Sequence, residues 1–477
     1  MKYLSTRDKT LRLDAAEAIL TGLSRDGGLL TPESIPEIGE DFLRELAGLS
    51  YEERAARVMA LYLTDYTEEE LLGFAKNAYG PAKFDTPAVA PVRKLDDATH
   101  CLELWHGPTS AFKDMALQML PQLLSAALRK RGEGKTACIL VATSGDTGKA
   151  AMEGFADVPQ TKILVFYPKD GVSQVQEAQM VTQEGQNVGV CAVVGNFDDA
   201  QAGVKRIFSD AAMRETLNGR GYFLSSANSI NWGRILPQVV YYISAYCDLL
   251  NAGDILAAYY AKRMGLPVGK LICASNRNDV LTDFLRTGVY DRNRPFHCTM
   301  SPSMDILVSS NLERLLFDLS GENDAEVRDY MAQLAKDGRY EVSDAIKAAL
   351  WEQYWGGCCG EEETARTIGK YYREKGYLID THTAVAAAVM EQYRAETGDG
   401  TVTVFVSTAS PYKFCASVLP AIGEEPKGDG VELLEQLHEV SGVKVPERLA
   451  ALRGKARRFD LAVEREAMDD VVRDFLR

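Results

Sequence analysis

The densest run of reactive side chains is His106-Gly107-Pro108-Thr109-Ser110-Ala111-Phe112-Lys113-Asp114, a glycine–proline turn that leads through a lysine into an apolar stretch over 115–124. At the start of a buried helix, a lysine loses stability as an ammonium, because desolvation and the positive helix terminus both favour the neutral amine. A neutral amine is what Schiff-base chemistry requires. The alternative is a solvated lysine beside Asp114, the common state of lysines in folded chains. A second run, Thr143-Ser144-Gly145-Asp146-Thr147-Gly148, stands between an apolar segment and a helical one. Small hydroxyls and backbone N–H groups at a helix N-terminus make an anion site, and the same residues also make an ordinary N-cap turn. Lys149 follows Gly148, but the spacing is not that of a P-loop.

Three further polar runs end apolar segments. Ser225-Ser226-Ala227-Asn228-Ser229-Ile230-Asn231-Trp232-Gly233-Arg234 can set hydroxyls, amides and one guanidinium around an anion. Ser407-Thr408 can offer a hydroxyl to a ring nitrogen, and Val194-Gly195-Asn196-Phe197-Asp198-Asp199 follows a strand-like run. Loop capping is the other reading for each. Cys358-Cys359 reads as incidental, and His382 as a cap or a polar site residue.

The elements that must hold these residues follow from hydropathy spacing. Residues 1–95 read as helical and acidic, with helix spacing over 42–61 and 67–78, and Pro81, Pro87 and Pro91 mark a connection. Strands are predicted at 137–142, 162–167 and 188–194, with helices from about 148, from near Ser173 and over 198–210. Such alternation predicts a parallel, doubly wound sheet. It breaks once: 237–250 and 254–264 both read as helices, with only Asn251-Ala252-Gly253 between them and no strand. A strand resumes at 270–274, residues 325–375 read as mostly helical, 401–406 is a buried strand, and the tail carries helices near 431–441 and 461–476.

With 477 residues, 46% of them hydrophobic and 25% charged, the chain can bury several cores without disulfide or metal staples. Its 53 basic and 68 acidic residues leave a net charge of −15, which disfavours nucleic acid and anionic membrane surfaces as partners. Nine cysteines show no zinc spacing, and the odd, unpatterned set predicts a reducing compartment, the cytoplasm. No apolar h-region opens the chain, and no apolar run is long enough to cross a membrane, so a soluble protein is expected.

In their order and spacing these segments resemble the threonine synthase family, pyridoxal-phosphate enzymes of fold type II, in its longer bacterial and fungal form. The resemblance runs from Tyr3-Leu4-Ser5-Thr6-Arg7 through Arg25-Asp26-Gly27-Gly28-Leu29 to Ser407-Thr408-Ala409-Ser410-Pro411-Tyr412-Lys413-Phe414. It implies an α/β fold with two doubly wound α/β domains and a helical N-terminal domain. The boundaries it implies are 1–95, then 96–320 with an interleaved subdomain at about 135–225, then 321–477 with a helical insertion, the strand 401–406 and C-terminal helices. The resemblance implies pyridoxal 5'-phosphate as cofactor, carried by Lys113, with Asn251, Gly253 and Asp254 at its phosphate and Thr408 at its pyridine nitrogen. It implies Thr109, Ser144, Gly145, Asp146, Thr147, Asn228, Ser229, Asn231 and Arg234 around the substrate, and no metal. The implied reaction converts O-phospho-L-homoserine and water to L-threonine and phosphate, in a monomer or homodimer.

The family holds the cofactor phosphate with a Gly-Asn-Phe-Gly turn after an apolar strand. The positional match here is Leu250-Asn251-Ala252-Gly253-Asp254, since Gly195-Asn196-Phe197-Asp198 comes too early in the order of motifs. Leucine resists the positive φ that phosphate-cradling turns often need, and on the family's pattern one sheet strand is missing near residue 250. A catalytically silent relative without an intact phosphate loop is therefore the alternative. A third reading is another β- or γ-eliminating enzyme of the fold type, which would have no need of phosphate-directed residues around Arg234.

Overall fold

The computed structural model describes residues 1–249 and 255–477. Near the N-terminus, β1 (Tyr3–Ser5), β2 (Asp8–Leu13) and β3 (Leu30–Pro32) form an antiparallel sheet in the order β2-β1-β3. The N-terminal region is thus not purely helical as expected: β1 and β3 are three residues each and wholly buried, too short to show an alternating pattern. The helix predicted over 42–61 is two helices, Glu40–Ala47 and Tyr51–Ala60, divided where Ser50 and Glu53 form a reciprocal capping box. Glu68–Tyr79 begins with the same device, Thr67 with Glu70.

β4 (Val92–Lys94) and β5 (Thr99–Glu103) lead to the Lys113 turn. β6 (Thr136–Ala142), β7 (Thr161–Pro168), β8 (Val188–Val194) and β9 (Tyr222–Ser225) then alternate with helices. Beyond them lie β10 (Leu271–Ser275), β11 (Val289–Asp291), β12 (Arg339–Glu341), β13 (Tyr354–Cys358), β14 (Thr403–Ser407) and β15 (Ala462–Glu464). One sheet, β15-β8-β7-β6-β9, is parallel throughout. β6 to β8 read as continuous apolar runs because helices cover both faces of such a sheet. The tail, expected as one helix over 461–476, instead adds β15 to this sheet before the helix Met468–Phe475.

A second group of strands is split. β14 pairs parallel with β5, which pairs antiparallel with β4, and separately β10 pairs parallel with β13. The helix Thr381–Thr397 packs on β10, β13 and β14 alike. Among the described residues no strand joins β14 to β10, which accords with the break in alternation. The helices Trp232–Leu249 and Ile255–Arg263 flank that break. Asn251, Gly253 and Asp254, expected at a cofactor phosphate, lie outside the described residues. Both sheet pairings cross residue 320, so segments on either side of it share sheets. The carboxyl ends of β5, β6 and β14 feed the turns that carry Lys113, Asp146 and Thr408, the crevice where ligands bind in open α/β sheets.

Candidate active site

Lys113 opens the helix Lys113–Leu117. The turn before it is held from two sides. Phe112 N–H donates to the Thr408 carbonyl (2.7 Å), and Ala111 bridges Ala409. Buried Asp114 accepts from both Thr109 N–H and Thr109 Oγ1, each at 2.8 Å. Only glycine fits at 107, where a Cβ would stand 2.5 Å from that of Asp114. The Lys113 amine lies 4.8 Å from the centre of the Phe112 ring. Burial lowers its pKa to about 8, against a smaller upward pull from Asp146, and Arg234 and Lys413 push it down further.

The second turn follows β6. Thr143 Oγ1 accepts from Gly145 N–H (3.0 Å) and Gly148 N–H (2.9 Å), which shapes the start of the helix Asp146–Phe155. Gly145 caps that helix at φ +126°. Ser144 and Thr147 remain partly exposed around the opening. Asp146 is buried and receives Lys413 Nζ (2.5 Å) and Gln176 Nε2 (2.8 Å). Burial alone would raise its pKa, but Lys413, then Lys113, then Gln176 hold the carboxyl well below the usual range.

Arg234 comes from the helix Trp232–Leu249 and is 3% exposed. Its Nη1 donates to the Ala227 carbonyl (2.9 Å), while its Nε has no hydrogen-bond partner. Burial lowers its pKa to about 10, with Tyr241 opposing only in part. Lys113, Arg234 and Lys413 against Asp146 leave this crevice with a surplus of positive charge, which suits a polyanionic ligand. Asn228 and Ser229 are partly exposed beside it.

Besides Asp146, two more of the expected substrate residues have their polar groups engaged by the protein. Asn231 donates to the carbonyls of Ile19 (2.9 Å) and Ser226 (3.3 Å) and accepts from Gly233 N–H (2.9 Å). Thr109 gives its hydroxyl to Asp114. Both therefore shape loops. Thr408 is partly exposed at the end of β14. Asn196 caps a helix with Asp199, the capping reading of that run. His382 Nε2 accepts from Ser303 N–H (3.1 Å), and its Nδ1 lies 3.0 Å from Asp380. The cysteines are free thiols. Sequence reasoning missed Lys413, Gln176 and Gln179, the last donating to the Thr109 carbonyl (3.2 Å). The one available signal was a lysine among aromatic and apolar neighbours, Tyr412-Lys413-Phe414-Cys415.

Residues 2–79 match the family model "Threonine synthase N terminus", and residues 383–472 match "Threonine synthase, C-terminal". The threonine synthase of Pseudomonas aeruginosa is 40% identical over 441 residues, covering 89% of this chain and 92% of that one. The chain belongs to the threonine synthase family. The crystal structure of PLP-bound threonine synthase from Brucella melitensis superposes with a TM-score of 0.88 at 37% identity, covering both chains completely. That of yeast threonine synthase gives 0.87 at 32% identity, over 100% of this chain and 98% of the other. The α/β fold expected from the sequence is thus the threonine synthase fold. Thr408 and Lys413 lie inside the C-terminal threonine synthase region, while Lys113, Asp146 and Arg234 lie between the two matched regions.

Proposed function

We propose that the chain is a pyridoxal-phosphate-dependent threonine synthase, a lyase converting O-phospho-L-homoserine and water to L-threonine and phosphate. The observation that carries this reading is Lys113, with a lowered pKa, set among Arg234, Lys413 and Asp146. The residues present fit the cofactor at two ends of its ring: a lysine whose pKa burial lowers to about 8 for the aldehyde, and Thr408 at the end of β14 for the ring nitrogen, while the orphaned buried Arg234 Nε is left for an anion. When bound, pyridoxal phosphate supplies an electron sink for negative charge developing on the substrate.

Lys113 Nζ accepts the proton from the substrate Cα and returns protons along the carbon chain, because a neutral amine tethered beside the substrate is a general base of suitable strength. Arg234, whose Nε is unpaired, binds the substrate phosphate, with Asn228 and Ser229 beside it. Ser144, Thr147 and the N–H groups that open the Asp146 helix orient the carboxylate. Thr408 offers a neutral hydroxyl to the cofactor's ring nitrogen, and Asn251, Gly253 and Asp254 its phosphate contacts. The protein works in the cytoplasm as a monomer or homodimer on this small substrate. Among the described residues no helix is long and apolar enough to cross a membrane.

The test is direct. Purified chain with added pyridoxal phosphate should absorb in the visible and release phosphate and threonine from O-phospho-L-homoserine, and Lys113→Ala should do neither. A silent relative is the second reading, favoured by the division between β14 and β10. Protein that stays colourless at high cofactor concentration and yields no threonine would decide for it.

A further inference from the structure

Lys413 is a second buried lysine at the site, and nothing in the proposed chemistry assigns it a task. Its side chain is 0% exposed. It stands on the short helical turn Pro411–Phe414 after β14, far in sequence from the groups its ammonium reaches. Its Nζ lies 2.5 Å from Asp146 Oδ1 and donates to the Thr109 carbonyl at 3.0 Å. Its own carbonyl accepts from Ser173 Oγ (3.3 Å), the N-cap of the helix that carries Gln176. Gln176 in turn donates to the same Asp146 oxygen (2.8 Å). One residue thus ties together the turn before Lys113 and the anion-binding turn after β6 through its ammonium, and the Gln176 helix through its carbonyl.

We propose that Lys413 is a positioning residue that takes up the Asp146 carboxylate and so leaves the Lys113 amine without a carboxylate partner. The inference rests on Lys113 being the reactive amine of the proposed function. The charged groups facing Lys113 are Asp146, Arg234 and Lys413, while its neighbour Asp114 is turned to Thr109. Asp146 is the sole carboxylate among those three. Left without Lys413, the Asp146 carboxylate has Lys113 as its remaining cationic neighbour, and an ion pair there would fix the proton on the nucleophile. Removing Lys413 also removes a like charge, so both consequences act in the same direction.

The experiment uses the full chain without cofactor. Reductive methylation by isotopically labelled formaldehyde is followed at Lys113 by mass spectrometry as a function of pH. In the unsubstituted protein the reactivity midpoint falls near the lowered value of about 8. Lys413→Met and Lys413→Gln should each raise it by about one unit or more, a roughly tenfold slower reaction below the midpoint. Lys413→Arg should leave it in place. Asp146→Asn should move it downward, and the double variant Asp146→Asn with Lys413→Met should cancel the upward shift. A merely structural lysine would not produce opposite shifts at its two ends. Should Lys413→Met fail to fold, Lys413→Gln, which keeps a polar donor on the side chain, carries the same expectation. An unchanged midpoint in the folded neutral variants, or shifts of the same sign for Lys413→Gln and Asp146→Asn, overturns the proposal. Because no cofactor is present, that result is separate from failure to make threonine.

Discussion

Replacing Gly145 by alanine perturbs the anion-binding turn through a contact that can be worked out atom by atom. Gly145 sits at φ +126°, ψ −78°, outside the regions open to residues with a side chain. A Cβ there would lie 2.5 Å from Gln176 Cδ, 2.6 Å from its Oε1 and 2.7 Å from its Nε2. Gln176 is fully buried, so it has no open direction in which to retreat. Displacing it breaks the bond from its Nε2 to Asp146 (2.8 Å) and the bond its Oε1 accepts from Ser173 N–H (3.0 Å). Backbone strain costs about 1–3 kcal/mol, and losing two buried hydrogen bonds, one to a carboxylate, costs about 2–4 kcal/mol. Gly145→Ala should therefore lower stability by about 3–7 kcal/mol, a large fraction of what a folded chain has. The assay is urea unfolding followed by tryptophan fluorescence, with phosphate release measured on the same preparations. Gly132→Ala is the control: φ is +61° but nothing lies within 4 Å of its Cβ. Strain alone should cost that variant about 1 kcal/mol. Equal unfolding midpoints for Gly145→Ala and Gly132→Ala would refute the assignment of Gly145 to a steric and hydrogen-bonded lock.

Other expectations concern binding, pH and helix propensity. Arg234→Leu should raise KM for O-phospho-L-homoserine by about 10- to 100-fold, the worth of a charge-assisted contact, in a steady-state phosphate-release assay with the fold unchanged by circular dichroism. His106 should make stability fall in mild alkali. Burial opposes its charge, but Asp85 (2.7 Å) and Glu103 (2.9 Å) raise its pKa from 6.5 to about 9. Because the folded value is the higher one, its contribution is complete below about pH 6.5 and disappears as pH rises through about 9. Urea midpoints should decline across that window, and less steeply in His106→Gln. Gly73→Ala, at an exposed position inside the helix Glu68–Tyr79 with open space around it, should stabilise by about 0.5–1 kcal/mol in the same unfolding assay.

The sequence by itself determined what depends on neighbours along the chain. The apolar runs that became β6, β7 and β8 could only be buried strands, and the interruption between 237–250 and 254–264 was legible as a lost alternation. Lys113 and Asp146 were visible because each stands just after a turn, at the start of a helix. Ser50 with Glu53 and Thr67 with Glu70 show how local the helix signals are, although the first of these divided what spacing read as one helix. The pairing of β14 with β5 and the addition of β15 to β8 lay beyond such reading, since strands hundreds of residues apart carry no mark of their partner. Asn231 and Thr109 looked like ligand residues by type, and only packing showed their polar groups committed to Ile19, Ser226, Gly233 and Asp114. Lys413 is the clearest case. Its aromatic and apolar neighbours Tyr412, Phe414 and Cys415 hint at burial but not at a partner. It matters through a carboxylate more than two hundred residues away, and a charge's effect is set by distance and burial, which exist only once the chain has folded.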